Sequence, residues 1–251
     1  MSASAARRRR WPLVLAVVVV LLVIGVVVAD LVVREATRAR VAALLQQSIA
    51  LDVEPEVEIG GFSVLAQLLS GRLDSVVARV DDARIGQVEA SVRVQARGVP
   101  VDGAGELDAA TAELVVSPEE VRRLVTESAP GAVGSVELAD DAVRLSSELN
   151  VLGLRVPLAL TVEPSLDGST LVLRPTTIEA GGLSYTAEQA EEQFGPVAEG
   201  VTSGVRVCLA DRIPAGISPT AIDVSAEGLR VTADIDRRIL ADPALAAPGT
   251  C

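Results

Sequence analysis

The sequence predicts an α+β fold: a long antiparallel sheet rolled around a helix, preceded by one N-terminal transmembrane helix. Three observations carry that expectation. From Gln87 to Arg97 the residues alternate without a break, with Val88, Ala90, Val92, Val94 and Ala96 on one face and polar side chains on the other. This is roughly twice the usual strand length, and only one side is apolar. Arg7 to Arg10 stand before an apolar run from Pro12 to Ala29, roughly 18 residues, which just covers a bilayer's hydrocarbon core as a helix. The remaining helical patterns are few and short, so the strands must cover one another.

The apolar run divides the chain into a cytoplasmic Arg-rich tail (1–11), a transmembrane anchor or signal segment (12–29) and a single extracytoplasmic domain (30–251). The Arg cluster holds the tail in the cytoplasm and leaves Asp30 onward outside. Trp11 stands at the position of an interfacial anchor. Two readings of the run stay open, an uncleaved anchor and a signal peptide cut after Ala29. Its length favours the anchor, and no Cys near its end marks a lipoprotein. The expected location is the cell membrane, single-pass, with the domain on the periplasmic or cell-wall side; cleavage would make the protein secreted.

From Asp30 to Ala50, Val33, Val41, Leu44, Leu45 and Ile49 recur at helical spacing. "LDVEPEVEIGG" alternates through Val53, Val57 and Ile59 as a first strand, with Pro55 marking a sheet edge. "FSVLAQLL" is a short amphipathic helix closed by Ser70 and Gly71. One-sided strands follow in "GELDAATAELVVS", in "DAVRLSSELNV" and in "LRVPLALTV", where Val156, Leu158 and Leu160 share a face. A turn at "SLDG" leads to "STLVLRPTTI", and "TAIDVSAEGLRVTADI" is a hairpin around Glu227 and Gly228. Two helices intervene: one opens at Ser117-Pro118-Glu119-Glu120, a cap, a first-turn proline and two acids, and the other is "SYTAEQAEEQFG". Such strands make a sheet with one wet and one covered face, which must curl into a roll or open barrel. Its Val-, Ala- and Leu-lined interior is either an apolar cavity or an ordinary close-packed core.

Composition removes most chemistry. All 22 basic residues are Arg, and there is no Lys or His. This excludes His-dependent relays, imidazole zinc sites, Schiff bases and the P-loop lysine. Adjacent acids on a strand point to opposite faces, so the pairs Asp81-Asp82 and Asp140-Asp141 cannot both enter one site; Asp81-Asp82 interrupts the alternation and marks a bulge or turn, and Glu191-Glu192 lies on a solvated helix face. The chain is read as non-enzymatic, with no cofactor, no catalytic residue and no metal. After Ala29, 18 Arg face all 34 acids, a formal charge of −16, which repels nucleic acid. Cys208 and Cys251 fit a disulfide in an oxidising compartment, or two free thiols with Cys251 on a frayed tail.

"GGFSVLAQLLSGRLDSVVARVDDARIG" and "VRVQARGVPV" resemble the LmeA-like phospholipid-binding family of exported actinobacterial envelope proteins. The carrying residues are the hydrophobic N-terminal segment, Gly60-Gly61-Phe62, Gln67 to Arg72, and Ala96 to Val99. The C-terminal "VRVCLADRIPAGISPTAIDVSAEGLRV" is similar in style, so the resemblance covers residues 30–240. It implies a tubular lipid-binding fold, phospholipid as ligand, a membrane partner through the N-terminal helix, and support for envelope lipid or lipoglycan assembly with an envelope glycosyltransferase or other envelope protein. It transfers no ligand residues. Facing alone nominates Phe62, Leu65, Leu68, Leu69, Val92, Val94, Val156, Leu158, Leu160, Leu171 and Leu173 as the lining of an acyl-chain cavity, with the first four as a plug or lid. Two rival readings are a scaffold with a fully packed core and a carboxylate-dependent hydrolase of envelope lipid.

Overall fold

The structure is a computed structural model that describes residues 21, 24–38, 55–85, 87–130, 133–139, 141–151, 154–196 and 202–251. Among them a helix, α1, spans 24–38. Most of the apolar segment 12–29, the expected helix from 39 to 50, Val53 and Asp140 lie outside the described residues. Among the described residues no helix is long and apolar enough to cross a membrane.

Strand β1 (Glu56–Gly60) is an edge strand, and Pro55 stands immediately before it. Helix α2 (Val64–Ser70) is capped by Ser63, whose Oγ accepts from Ala66 N–H, and ends on Gly71 at φ 78°. Only glycine takes that left-handed turn without strain. A meander follows through β2 (Arg72–Ile85), β3 (Val88–Pro100) and β4 (Ala109–Val116). The β2–β3 register slips between Val80 and Ala83, with Asp82 at φ 54°, so the Asp81-Asp82 pair is a bulge. After α3 (Pro118–Ser128) a second meander runs through β5 (Ser135–Ala139), β6 (Ala142–Val151), β7 (Leu154–Asp167), β8 (Thr170–Ala180) and β9 (Leu183–Thr186). Helix α4 (Ala187–Phe194) carries a capping box between Thr186 and Gln189. Then come β10 (Val205–Cys208) and a hairpin of β11 (Ile217–Ser225) and β12 (Gly228–Ile235).

These strands form two antiparallel sheets rather than one. The first has the order β1-β2-β3-β4-β12-β11, and the second β10-β8-β7-β6-β5 with β9 also on β8. The single long sheet expected from sequence is therefore corrected. The last hairpin returns to pair β12 with β4, closing the first sheet after the second has been inserted between them. The turn expected at "SLDG" also moves: β7 runs through Asp167, and Gly168 begins the turn.

The sheets meet at one end. Ala90 and Val116 of the first pack with Val136 and Leu138 of the second, with Val224 of β11 and with Val121 of α3 in one buried cluster. Glu120 pins α3 there: its buried carboxylate accepts from the Glu89 N–H at 2.8 Å and from Arg123 Nε at 2.8 Å. A second cluster joins Val57, Ile59, Val64 and Leu73, with Val33 of α1 packed against it. Cys208 and Cys251 form a disulfide across 43 residues of sequence. It closes a loop containing the β11–β12 hairpin, and so staples the last strands of the first sheet to β10 of the second.

Two outcomes follow. The Arg123 guanidinium, and then the Glu89 N–H, hold the Glu120 carboxyl down to about 2. A depressed carboxyl stabilises the fold above its unfolded value, and that contribution is lost as pH falls through the folded value. Thermal melts between pH 6 and pH 2 should therefore show a smaller acid loss in Glu120→Gln than in the wild type, with the difference opening below the ordinary glutamate range; parallel curves would refute this role. Cys251→Ser should lower unfolding stability by about 2–4 kcal/mol, the usual effect of opening a loop of this order, read by denaturant titration with and without reductant.

Candidate functional site

Cross-strand register builds the apolar face of the first sheet in rows. One row is Val57, Ala78, Val94, Ala112, Ala233 and Pro219. A flanking row is bulkier: Val80, Val92, Leu114, Val231 and Ile222. On the other side, Val76, Ala96 and Ala110 lead to Ile235 and Ile217. Small side chains at Ala78, Ala112 and Ala233, and at Ala96 and Ala110 beside them, leave a low strip bordered on one side by the bulkier row through Val92, Leu114 and Val231. At about 4.8 Å per strand the strip crosses from β1 to β12 in roughly 19 Å. The opposite face is polar. Arg79 bonds Glu58 at 2.9 Å, Arg79 stands opposite Arg93, and Arg230 pairs with Glu113.

The second sheet repeats the design. Val136, Leu145, Leu160, Ile178 and Tyr185 form one row. Leu158 pairs with Ala180, Leu171 with Val207 and Leu173 with Val205. Across the described side chains of β6, β7, β8 and β10, only Pro175 is buried. The remaining apolar positions on those strands are neither packed away nor, for the most part, fully solvated. They are half-covered.

The nominated residues accordingly fall into three places. Val92 and Val94 lie on the apolar face of the first sheet; Val156, Leu158, Leu160, Leu171 and Leu173 lie on that of the second. All seven are half-buried. The two groups belong to faces that meet through the shared cluster of Ala90, Val116, Val136 and Leu138. The α2 group divides. Leu68 packs against the cluster around Val64, and Leu65 is half-buried. Phe62 is 100% exposed and Leu69 83% exposed, so neither turns into a sheet interior as a plug would.

Sequence reasoning missed the residues that hold α2. Asp30 of α1 accepts from Ser63 Oγ at 2.7 Å and from the Leu65 N–H at 2.9 Å. These bonds, the backbone one foremost, lower the Asp30 pKa. Arg34, one turn on, donates to the carbonyls of Ile59 at 2.9 Å and Gly61 at 3.3 Å. Buried Gln67 bridges the Gly60 carbonyl and the Asp74 N–H. No local motif announces such contacts; only the proximity of a lone acid to a helix start could have hinted at the first.

A cleft of about 680 Å³ opens on the second sheet, lined by Arg144, Ser146, Glu148, Pro157, Ala159 and Glu179. It lies on the polar face, opposite Leu160, and Arg144 fills part of it by pairing with Glu179 at 2.8 and 2.6 Å. It is a mixed surface depression whose lining also includes Val133 and Leu158. Asp141, at φ 63°, sits in the β5–β6 turn, and Glu191 accepts from Thr202. Among the described residues no group of three or more metal-binding side chains converges.

The domain thus carries long apolar sheet faces, half-covered over much of their length and backed by solvated polar faces. Residues 28–234 match the family model described as LmeA-like phospholipid-binding, and the chain belongs to that family. No curated protein and no solved structure matches it.

The α2 geometry gives its own expected outcome. Asp30→Ala should remove the acceptor of the Leu65 N–H and of the Ser63 hydroxyl, weaken the capped start of α2, and speed amide hydrogen exchange across 64–70 while leaving exchange in β6 and β7 unchanged. Uniformly faster exchange would mean that Asp30 supports the whole fold instead.

Proposed function

We propose that this is a membrane-anchored, extracytoplasmic phospholipid-binding protein of the cell envelope, which sheathes acyl chains along its apolar sheet faces in the manner of a tubular lipid-binding fold. The carrying observation is the half-covered state of much of those faces: Val92, Val94 and Ala112 on the first sheet and Leu158, Leu160, Leu171 and Leu173 on the second are only partly buried, while Val57, Val80, Ala233 and Val136 in the same rows are packed away. Membership of a family described as phospholipid-binding supports the choice of ligand. Each CH₂ removed from water contributes about 0.8 kcal/mol, so part of one chain suffices for micromolar binding. The chemistry asked of the protein is burial and shape, so the proposal assigns it no catalysis. In the envelope it supplies lipid to, or holds lipid for, assembly of envelope lipids or lipoglycans.

The domains follow from the same reading: a cytoplasmic tail to residue 11, an anchor over 12–29 and one lipid-binding domain over 30–251. The apolar end of α1 agrees with the anchor, since Ile24, Val26, Val27 and Val28 are each more than half exposed.

Native mass spectrometry of residues 30–251, purified without detergent, followed by lipid extraction, tests this. The wild type should carry phospholipid; Val94→Asp and Leu160→Asp should lose most of it while keeping their circular dichroism. A folded, lipid-free domain that also refuses added phospholipid would favour the scaffold with no lipid ligand.

A further inference from the structure

Of the described residues with large, water-facing apolar side chains, several stand on α1, on α2 and in the loop before α2, while others such as Ile85, Leu183 and Val205 lie elsewhere. Phe62 is 100% exposed and Leu69 83%, while Leu31 and Val32 of α1 are 60% and 64% exposed. In a chain that is only 2% aromatic, an entire phenyl ring left in water is a costly use of a rare side chain. The polar contacts fix where it stands. Asp30 holds Ser63 and Leu65, the residues that flank Val64 at the start of α2, while Arg34 holds Ile59 and Gly61 on the other side of Phe62. Val33 packs into the cluster with Val57, Ile59 and Val64. The loop bearing Phe62 is therefore tied to one level of α1, that of Asp30, the first charged residue after the apolar run. Leu31 and Val32 lie only about 2–3 Å further along the same axis.

We propose that this junction is a second membrane contact: Phe62, held by Asp30 and Arg34 at the level of Leu31 and Val32, sits in the interface of the leaflet from which α1 emerges. The domain then stands on the bilayer at a set angle instead of swinging on its anchor. The inference rests on the anchor reading above. Charge fits the same occupant. Residues 30–40 carry Arg34, Arg38 and Arg40 against Asp30 and Glu35, a net +1 within a domain of −16, so the charge that follows the apolar run does not oppose anionic headgroups. An apolar side chain with a phenyl ring at a helix start, beside basic residues, matches the amphipathic boundary of a bilayer.

The test uses the full chain in vesicles of phosphatidylcholine and phosphatidylglycerol, with Trp11→Phe as background. Single reporters are Phe62→Trp, Val27→Trp in the apolar run, and Leu183→Trp on the exposed edge of the second sheet, where Leu183 is 61% exposed. Lipids brominated high on their acyl chains serve as quenchers. The proposal expects a blue-shifted emission and loss of most fluorescence for Phe62→Trp and for Val27→Trp, with Leu183→Trp unaffected. Quenching of Val27→Trp together with water-like, unquenched emission from Phe62→Trp overturns the second contact and leaves the anchor standing. If neither is quenched, the anchor reading falls and takes this inference with it. A blue shift of Phe62→Trp without quenching assigns the patch to a protein contact, such as a second copy, and also overturns the proposal. None of these outcomes alters the lipid-extraction result, so the two readings fail separately.

Discussion

The two sheets are held together through the cluster of Ala90, Val116, Val121, Val136, Leu138 and Val224, and the side chains available to build it set the form of the molecule. Packed sheets stand about 10 Å apart, a gap that interdigitating large side chains normally fill. Here the chain has two Phe, one Trp, one Tyr and one Met in 251 residues. Ala78, Ala96, Ala110, Ala112 and Ala233 cannot reach across such a gap. Contact is achieved where α3 inserts Val121, with Val125 alongside, between the sheet ends. Further along, Val94 on one sheet and Leu158 on the other remain half-covered. The open apolar surface thus follows from the same small side chains that limit the core.

A fold with so modest a core needs support from elsewhere, and the structure shows where it lies. Both ends of α2, the start of α3 and the start of α4 are capped. Glu120 ties α3 to β3, and the disulfide ties the last hairpin to β10. The Arg–Glu pairs on the outer face contribute less, because exposed ion pairs are offset by side-chain entropy and screened by salt. A ligand that covers the apolar rows would add stability in proportion to its affinity for the folded state. For such a protein, binding and folding draw on one surface.

Local chemistry was legible and long-range pairing was not. Ser117-Pro118-Glu119-Glu120 announced α3, Gly71 announced the end of α2, and the interruption at Asp81-Asp82 announced the bulge that Asp82 completes. Alternation from Val88 to Ala96 named the apolar face of β3 correctly as one continuous side, because a period of two fixes which side chains share a face. It does not name the neighbouring strand. Every long strand here carries the same pattern, so nothing local distinguishes one sheet of twelve strands from two of six. The pairing of Val231 with Leu114 decides that, across more than a hundred residues. The short strands β9 and β10 were equally hard to bound, since four residues hold too little alternation to define a period. For the candidate site, Val94 and Leu160 were legible as apolar-face positions, while Asp30 and Arg34 were not, because their partners, the Ser63 hydroxyl and backbone groups of Ile59, Gly61 and Leu65, lie 25 to 35 residues away in sequence.

The position of those two residues links α1 to the sheet. Arg34 bonds the carbonyl of Ile59, and Val33 packs against Val57 and Ile59, so α1 is fastened to β1, the edge strand of the first sheet. The low row of the apolar face starts on that strand at Val57 and continues through Ala78, Val94 and Ala112 to Ala233. Rows run across the strands, so this strip leads away from the anchored edge rather than parallel to it. The opposite edge, β11, is where the two sheets approach one another through Val224. At the β1 edge the strip is closed by the protein's own side chains, since Val57 and Ile59 are buried with Val64 of α2 and Val33 of α1. Further in, Ala78, Val94 and Ala112 are half-covered. The partly open part of the row therefore lies between two packed ends, one built by α1 and α2 at β1 and the other by Val224 at β11.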